Sequence, residues 1–256
     1  MRVLGWLYLA LAFGFIFLPV AVLVLFSFQE GRLPVPPFNG PSLRWYQDVL
    51  GDRRLMEGLR HSLIVASLSA ALALLLGFMA AQALARHRLP GTLLMRAALI
   101  APLTVSYLII ALGLLSLFNR AGIGLSLWTA GVGHVVINLP LCFAILYASM
   151  GEQQRSAETA ARDLGAGEVR VLALITAPML APSMLAAYFL AFTFSWDEFI
   201  IAYLLTRFDV TLPVEIWSLL RSGLTPRANA IGSVVFLVSV GVLVALQLLV
   251  FRKVRP

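Results

Sequence analysis

Ser156-Ala157-Glu158-Thr159-Ala160-Ala161-Arg162-Asp163-Leu164-Gly165-Ala166-Gly167-Glu168 opens the longer half of a polar stretch, 151–176, whose reading decides the fold. Ser156 is placed to cap a helix with Glu158 in its first turn, and residues 157–164 are mostly good helix formers. Gly165 follows at the position just past the helix end, where a left-handed backbone costs a glycine little. A second short helix is expected over 168–175, stopped before Pro178. Two short helices hinged at a glycine make a protrusion suited to docking into a groove on another protein.

On both sides of this elbow the chain is apolar. Of 256 residues, 61% are hydrophobic and only 12% charged, and the mean hydropathy is +0.93. Soluble domains run at about 45–50% apolar and about 25% charged, and one core of this size cannot hide such an excess. A soluble enzyme, a disordered chain and a nucleic-acid module are excluded on these numbers. The composition specifies an all-α integral membrane protein.

Crossing ~30 Å of hydrocarbon takes about 20 residues. Uncharged runs of that length lie at 3–28, 62–85, 97–118, 121–151, 171–196 and 228–251. The fourth opens with Gly122, Gly124 and Ser126, so its helix is expected over 126–150. Pro178 and Pro182 in the fifth argue for a break, with the span itself over 183–206. Six transmembrane helices in a single domain, 1–256, with a cytoplasmic loop over 151–178, is the expected architecture. The first run exceeds the ~7–15 residues of a secretory h-region and no A-x-A-like site follows, so it reads as an uncleaved anchor.

The net charge is +7, and the basic residues sit mostly between apolar runs, where they hold topology and meet headgroups rather than nucleic acid. With the N terminus inside, ten basic residues fall on cytoplasmic segments against nine outside. The inner segments are shorter and denser in charge, which favours both termini in the cytoplasm. Lys253 is the sole lysine, which removes a phosphate-binding Walker loop. Cys142 is the sole cysteine, which removes a disulfide framework and a thiolate cluster. His61, His87 and His134 are too few and scattered for a metal site. Neither a catalytic set nor a metal is expected, and no cofactor in this chain.

The elbow resembles the EAA loop of ABC-importer permeases of type I. That pattern is E-A-A, a glycine four residues after the second alanine, nine residues, then I-x-L-P. Ala160, Ala161, Gly165, Ile175 and Pro178 match it, while Thr159 stands in place of Glu and Ala177 in place of Leu. The resemblance covers nearly the whole chain, through Ser42-Leu43-Arg44-Trp45-Tyr46, Arg60-His61-Ser62-Leu63, Leu84-Ala85-Arg86, the 128–140 stretch, Ser195-Trp196-Asp197-Glu198-Phe199, Thr211-Leu212-Pro213-Val214-Glu215 and Gly223-Leu224-Thr225-Pro226. These are similar to the second permease subunit of spermidine/putrescine importers. The resemblance implies a six-helix permease of the bacterial inner membrane, working with a second permease subunit, a pair of ATPase subunits that hold ATP and Mg, and an extracytoplasmic substrate-binding protein. It implies ATPase coupling through Glu158, Thr159, Ala160, Ala161, Asp163, Gly165, Ala166 and Arg170.

A solute path is expected at Asp197 and Glu198, with Trp196 beside them and Tyr107 on the third span. Ionised carboxylates at mid-membrane cost at least ~2.5 kcal/mol, so two adjacent ones are not expected to face lipid. The bland alternative is a structural pairing with Arg207 or Arg221, or a position shallow enough to be wet. Tyr107 stands where polyamine-type permeases usually carry Glu, which lowers cation affinity or points to another solute of the same importer family. His134 and Asn138, four apart on one helix face, read first as a polar join between helices. An integral membrane enzyme is the competing class, with a serine near His134 its nearest nucleophile. No G-x-S-x-G turn accompanies it.

Overall fold

The computed structural model describes residues 2–87, 90–223 and 225–254; of the side chains of residues 2, 3, 242, 243, 245–247 and 249–254 nothing is described. Among the described residues there are helices and no strands. They are α1 (Arg2–Ser27), α2 (Arg44–Gly51), α3 (Arg53–Arg86), α4 (Thr92–Ile100), α5 (Tyr107–Arg120), α6 (Leu127–Ser149), α7 (Glu152–Asp163), α8 (Glu168–Val171), α9 (Ala177–Trp196), α10 (Ile200–Leu205), α11 (Leu212–Ser222) and α12 (Pro226–Val254). A 3-10 turn, Ala101–Thr104, follows α4, and a π turn, Leu172–Thr176, joins α8 to α9.

Among the described residues four helices are long and apolar enough to cross a membrane alone: Leu4–Ser27, Arg53–Arg86, Leu127–Ser149 and Glu168–Trp196. A fifth candidate is a bent pair, Thr92–Thr104 with Tyr107–Arg120, meeting at 105°. The expected third span, 97–118, therefore carries a break. Pro102 lies in the first turn of the 3-10 segment, where its missing N–H costs nothing, and Val105 and Ser106 then leave helical geometry at ψ 137° before α5 begins. The sixth expected span, 228–251, falls on α12, whose apolar part among the described residues is Pro226–Gly241.

The break expected at Pro178 and Pro182 is absent. The chain stays helical from Glu168 to Trp196, and the second elbow helix does not stop before Pro178. Pro178 sits in the first turn of α9, directly after the π turn, whose wider loop loosens the ladder that a proline would otherwise disrupt. Pro182 is carried inside α9. The helix consequently ends at Trp196, and the rest of the expected span, to 206, holds a gap and the short helix α10.

The chain divides into two compact units. One comprises Met1–Leu59 with Leu212–Gly241. Here the segment before α2 folds around Gln29, whose side chain donates to the Pro37 carbonyl (3.1 Å) and accepts from the Asn39 N–H (2.9 Å). The Trp45 indole donates to the Gln29 carbonyl at 2.7 Å. Asp52 starts α3 by accepting from the Arg54 and Leu55 N–H groups and pairs with Arg227 of α12. Burial pushes its carboxyl up, but these bonds together outweigh it and hold the pKa below the ordinary value.

The other unit comprises Arg60–Thr211 and Val242–Pro256. Its centre is α6, begun as expected at Ser126, whose N–H donates to Thr129 Oγ1 at 2.8 Å. It buries Ala130, His134, Ile137, Asn138, Cys142, Phe143 and Leu146 round most of its circumference, leaving Trp128 and Val132 exposed on one face. α6 packs against α9, α10, α5 and α4. Gly77 of α3 lets two backbones meet: a Cβ there would lie 2.9 Å from Phe143 N and 2.9 Å from Cys142 Cβ.

Candidate coupling elbow and solute path

α7 begins at Glu152, four residues before the expected Ser156 cap, because Gly151 supplies the extended start; Ser156 Oγ instead donates back to the Glu152 carbonyl at 3.0 Å. Its end is as expected. Gly165 has φ +85°, its N–H donates to the Arg162 carbonyl (2.8 Å), and the Ala166 N–H donates to the Ala161 carbonyl (3.0 Å). That pair of bonds is a Schellman motif, which satisfies the last carbonyls and turns the chain sharply. Across the turn Arg162 grips Glu168 through two bonds of 2.7 and 3.0 Å.

Glu158 does not lie on the elbow's surface. It is fully buried, and Arg86 at the end of α3 donates to both its oxygens, Nε at 2.8 Å and Nη2 at 3.2 Å. Thr176, last residue of the π turn, donates its hydroxyl to Glu158 Oε1 at 2.9 Å, and Arg162 Nη2 stands 3.9 Å away. One carboxylate thus fastens α7 to α3 and to the head of α9. The geometry is the bidentate one that makes arginine–carboxylate pairs strong, and it leaves little of the pair's desolvation uncompensated.

The remaining elbow residues divide by exposure. Thr159, Ala160, Asp163, Gly165 and Arg170 are exposed, while Ala161 and Ala166 are half-buried. Leu164 and Val169 are 90% and 80% exposed, an apolar tip on an otherwise polar turn. Sequence reasoning missed this tip, and it missed Arg86 and Thr176. Arg86 was readable only as a topology charge, since its partner lies 72 residues away.

Asp197 and Glu198 stand at the gap between α9 and α10, and they do different things. Asp197 is the last-residue cap of α9, and its side chain is exposed. Glu198 is buried and accepts from the Ile201 N–H (3.0 and 2.9 Å) and the Ala202 N–H (3.1 Å), so it caps α10. Its ionisable neighbour is His134, with Nε2 at 3.5 Å, and not Arg207. Trp196 is buried, with its ring stacked on Phe192 at 6.4 Å. Tyr107 is exposed at the other backbone gap, as the first residue of α5. α5 packs on α10 through a core of Ala111, Phe118, Ala130, Ile137, Ile201 and Leu205. Each expected path residue is therefore at or beside an interruption, and irregular backbone at membrane depth is tolerated only against protein or a water-filled cavity.

A buried polar chain runs behind the acids. Ser69 Oγ of α3 meets Ser195 Oγ of α9 at 3.0 Å, Ser195 Oγ meets His134 Nδ1 at short range, and His134 faces Glu198. Serine, histidine and glutamate in a row have the composition of a nucleophile set. All three are at least nine-tenths buried, and Glu198 is already engaged by two backbone N–H groups. The arrangement joins helices, as the sequence reading of His134 anticipates. Asn138, one turn away, is equally buried. Among the described residues no three His, Cys, Asp or Glu side chains group closely enough to hold a metal ion.

Residues 73–256 match the family described as binding-protein-dependent transport system inner membrane component. The spermidine/putrescine transport system permease protein PotC of Escherichia coli (strain K12) is 29% identical over 257 residues, covering 99% of this chain and 96% of PotC. The putrescine transport system permease protein PotI of the same organism is 34% identical over 236 residues, covering 89% of this chain and 83% of PotI. SmoH of Agrobacterium fabrum, a sulfoquinovosyl glycerol transport system permease protein, is 32% identical over 77% of this chain and 72% of its own length. Among solved structures, a bacterial ABC transporter for import of the acidic polysaccharide alginate superposes with TM-score 0.67 at 16% identity, covering 99% of this chain and 97% of that one. The MetNI methionine ABC transporter, facing inward, gives 0.66 at 14% identity over 78% of this chain and 96% of that one. These structures share the fold. On the family match, which takes in the elbow, both backbone gaps and more than half of the sequence, this chain belongs to the inner membrane components of binding-protein-dependent transport systems.

Proposed function

We propose that the chain is the non-catalytic permease subunit of an ATP-driven importer for a small cationic solute of the polyamine class, pairing with a second permease subunit and two ATPase subunits. The observation that carries this reading is the Arg86–Glu158–Thr176 fastening. A force applied to the exposed elbow face at Thr159, Ala160, Asp163 and Arg170 reaches α3 and α9 without passing through a flexible loop. Rigid elements with two discrete arrangements are what convert a local push into alternating access. Both termini lie in the cytoplasm, with the elbow facing the ATPases and an extracytoplasmic binding protein delivering the solute.

The solute class rests on Asp197, an exposed carboxylate at a helix interruption, and on relatives named for spermidine and putrescine transport. SmoH, similar over less of the chain, serves a sulfoquinovosyl glycerol, so an uncharged or anionic solute is the second reading, favoured by Tyr107 in place of an acid. The test is to express the tagged chain with its chromosomal neighbours, isolate the complex, and reconstitute it with the associated binding protein. ATP-dependent uptake of labelled putrescine or spermidine, with an ATPase band in the complex, is the expected result. A complex without an ATPase defeats the importer reading; uptake confined to a sugar conjugate defeats the polyamine one.

A further inference from the structure

Asp197 is exposed, but the chain on both sides of it is held from within. Upstream, Ser195 and Trp196 are buried; downstream, Glu198 is buried and caps α10. Thr193 returns its hydroxyl to the Phe189 carbonyl of its own helix at 2.8 Å, the usual recourse of a helical hydroxyl. Ser195 instead reaches two other helices, at Ser69 of α3 (3.0 Å) and His134 of α6. A hydroxyl gives one hydrogen bond and accepts two, so both partners are served at once. α10 is seated on the same helix: Thr129 Oγ1 donates to the Leu205 carbonyl at 2.7 Å, and a Cβ on Gly133 would lie 3.0 Å from Leu205 Cδ1 and nearer still to Ile201 Cγ2. Thr129, Gly133 and His134 of α6 therefore fix the backbone before and after Asp197.

Packing alone would not place Asp197 so closely. Earlier in α9 the contact with α6 falls at Ala187, whose carbonyl lies 3.8 Å from Cys142 Sγ. Small side chains let helices approach without fixing their register, whereas a hydrogen bond is lost over about half an ångström. The bonded contact comes in the last turn of α9, two residues before the exposed carboxylate. We infer that Ser195, Ser69 and His134 are positioning residues for Asp197, a clasp that sets where its carboxylate meets a cationic solute. This rests on Asp197 lining the solute path. Every contact of the clasp is made inside the chain, at side chains at least nine-tenths buried, so a neighbouring subunit neither supplies nor replaces it.

The test takes two readouts on the full complex, in Ser195→Ala and in the milder Ser69→Ala, which leaves the Ser195–His134 bond in place. Hydrogen–deuterium exchange, read by mass spectrometry over 194–202, follows the Asp197 N–H bonded to Thr193 and the Ile201 and Ala202 N–H groups bonded to Glu198. Exchange there should quicken about ten-fold in Ser195→Ala, the worth of a buried hydrogen bond and of the partners left unserved, and by less in Ser69→Ala. Unchanged exchange in both variants overturns the proposal. The second readout is the half-saturating concentration of labelled putrescine, which should rise several-fold in Ser195→Ala. Added to Asp197→Asn, Ser195→Ala should raise it no further, because the clasp acts through that carboxylate. Effects that add in full show a merely structural clasp and also overturn the proposal. The path reading fails separately, if Asp197→Asn alone leaves putrescine kinetics unaltered; the exchange result then still decides whether the clasp holds the residue.

Discussion

Removing one partner of the Arg86–Glu158 pair leaves a charge buried without compensation, a loss of about 3–5 kcal/mol for pairs of this kind. Glu158→Gln keeps an acceptor for the Thr176 hydroxyl but strands the Arg86 guanidinium. Uptake should fall at least ten-fold, and immunoblots of the membrane fraction should show lowered abundance. Arg86→Met with Glu158→Met removes both charges and should restore abundance while uptake stays impaired. Normal uptake in Glu158→Gln would deny the carboxylate its fastening role. The two path acids predict opposite phenotypes. Asp197→Asn should raise the half-saturating concentration of a cationic solute several-fold with abundance unchanged. Glu198→Ala, which uncaps α10 and isolates His134, should lower abundance. Unaltered transport kinetics in Asp197→Asn would return that residue to a structural role.

At the scale of the element, the Schellman turn is the elbow's most constrained point. Gly165 at φ +85° accepts a Cβ only at a cost of ~1–2 kcal/mol. Proline there fixes φ near −65° and also deletes the N–H bonded to Arg162. Gly165→Pro, or a bulky side chain at half-buried Ala161, should abolish uptake while the subunit stays in the membrane; uptake assays paired with membrane quantification check this. Normal uptake in both variants would remove the coupling assignment. The glycine and the start of α6 were legible because both are local: a φ requirement and a capping pattern leave marks within a few residues. The role of Glu158 was not legible, since nothing near it in sequence says that Arg86 will reach it. Nor was the continuous helix through Pro178 and Pro182, which depends on a π turn whose geometry no residue pattern announces. The acids were found by their cost in a membrane, but their separate duties appear only once the Glu198 carboxylate is seen to cap α10.

For the whole molecule, orientation is where sequence reasoning had least to work with, because ten basic residues against nine is nearly balanced. A direct test uses Thr159→Cys in a Cys142→Ala background, Thr159 being exposed. A membrane-impermeant maleimide should label it only after the cells are permeabilised. Labelling of intact cells would place the elbow outside and end the coupling interpretation.

α1 adds a separate consequence. None of the most apolar window of Leu4–Ser27 is buried within the chain, and only toward its end do Leu23 and Ser27 find neighbours, at Gly232 and Tyr46. Within the chain, its upstream turns therefore rest on their own ladder alone. Natural selection is free to redraft those turns so long as they remain greasy, and drift among orthologues should concentrate there.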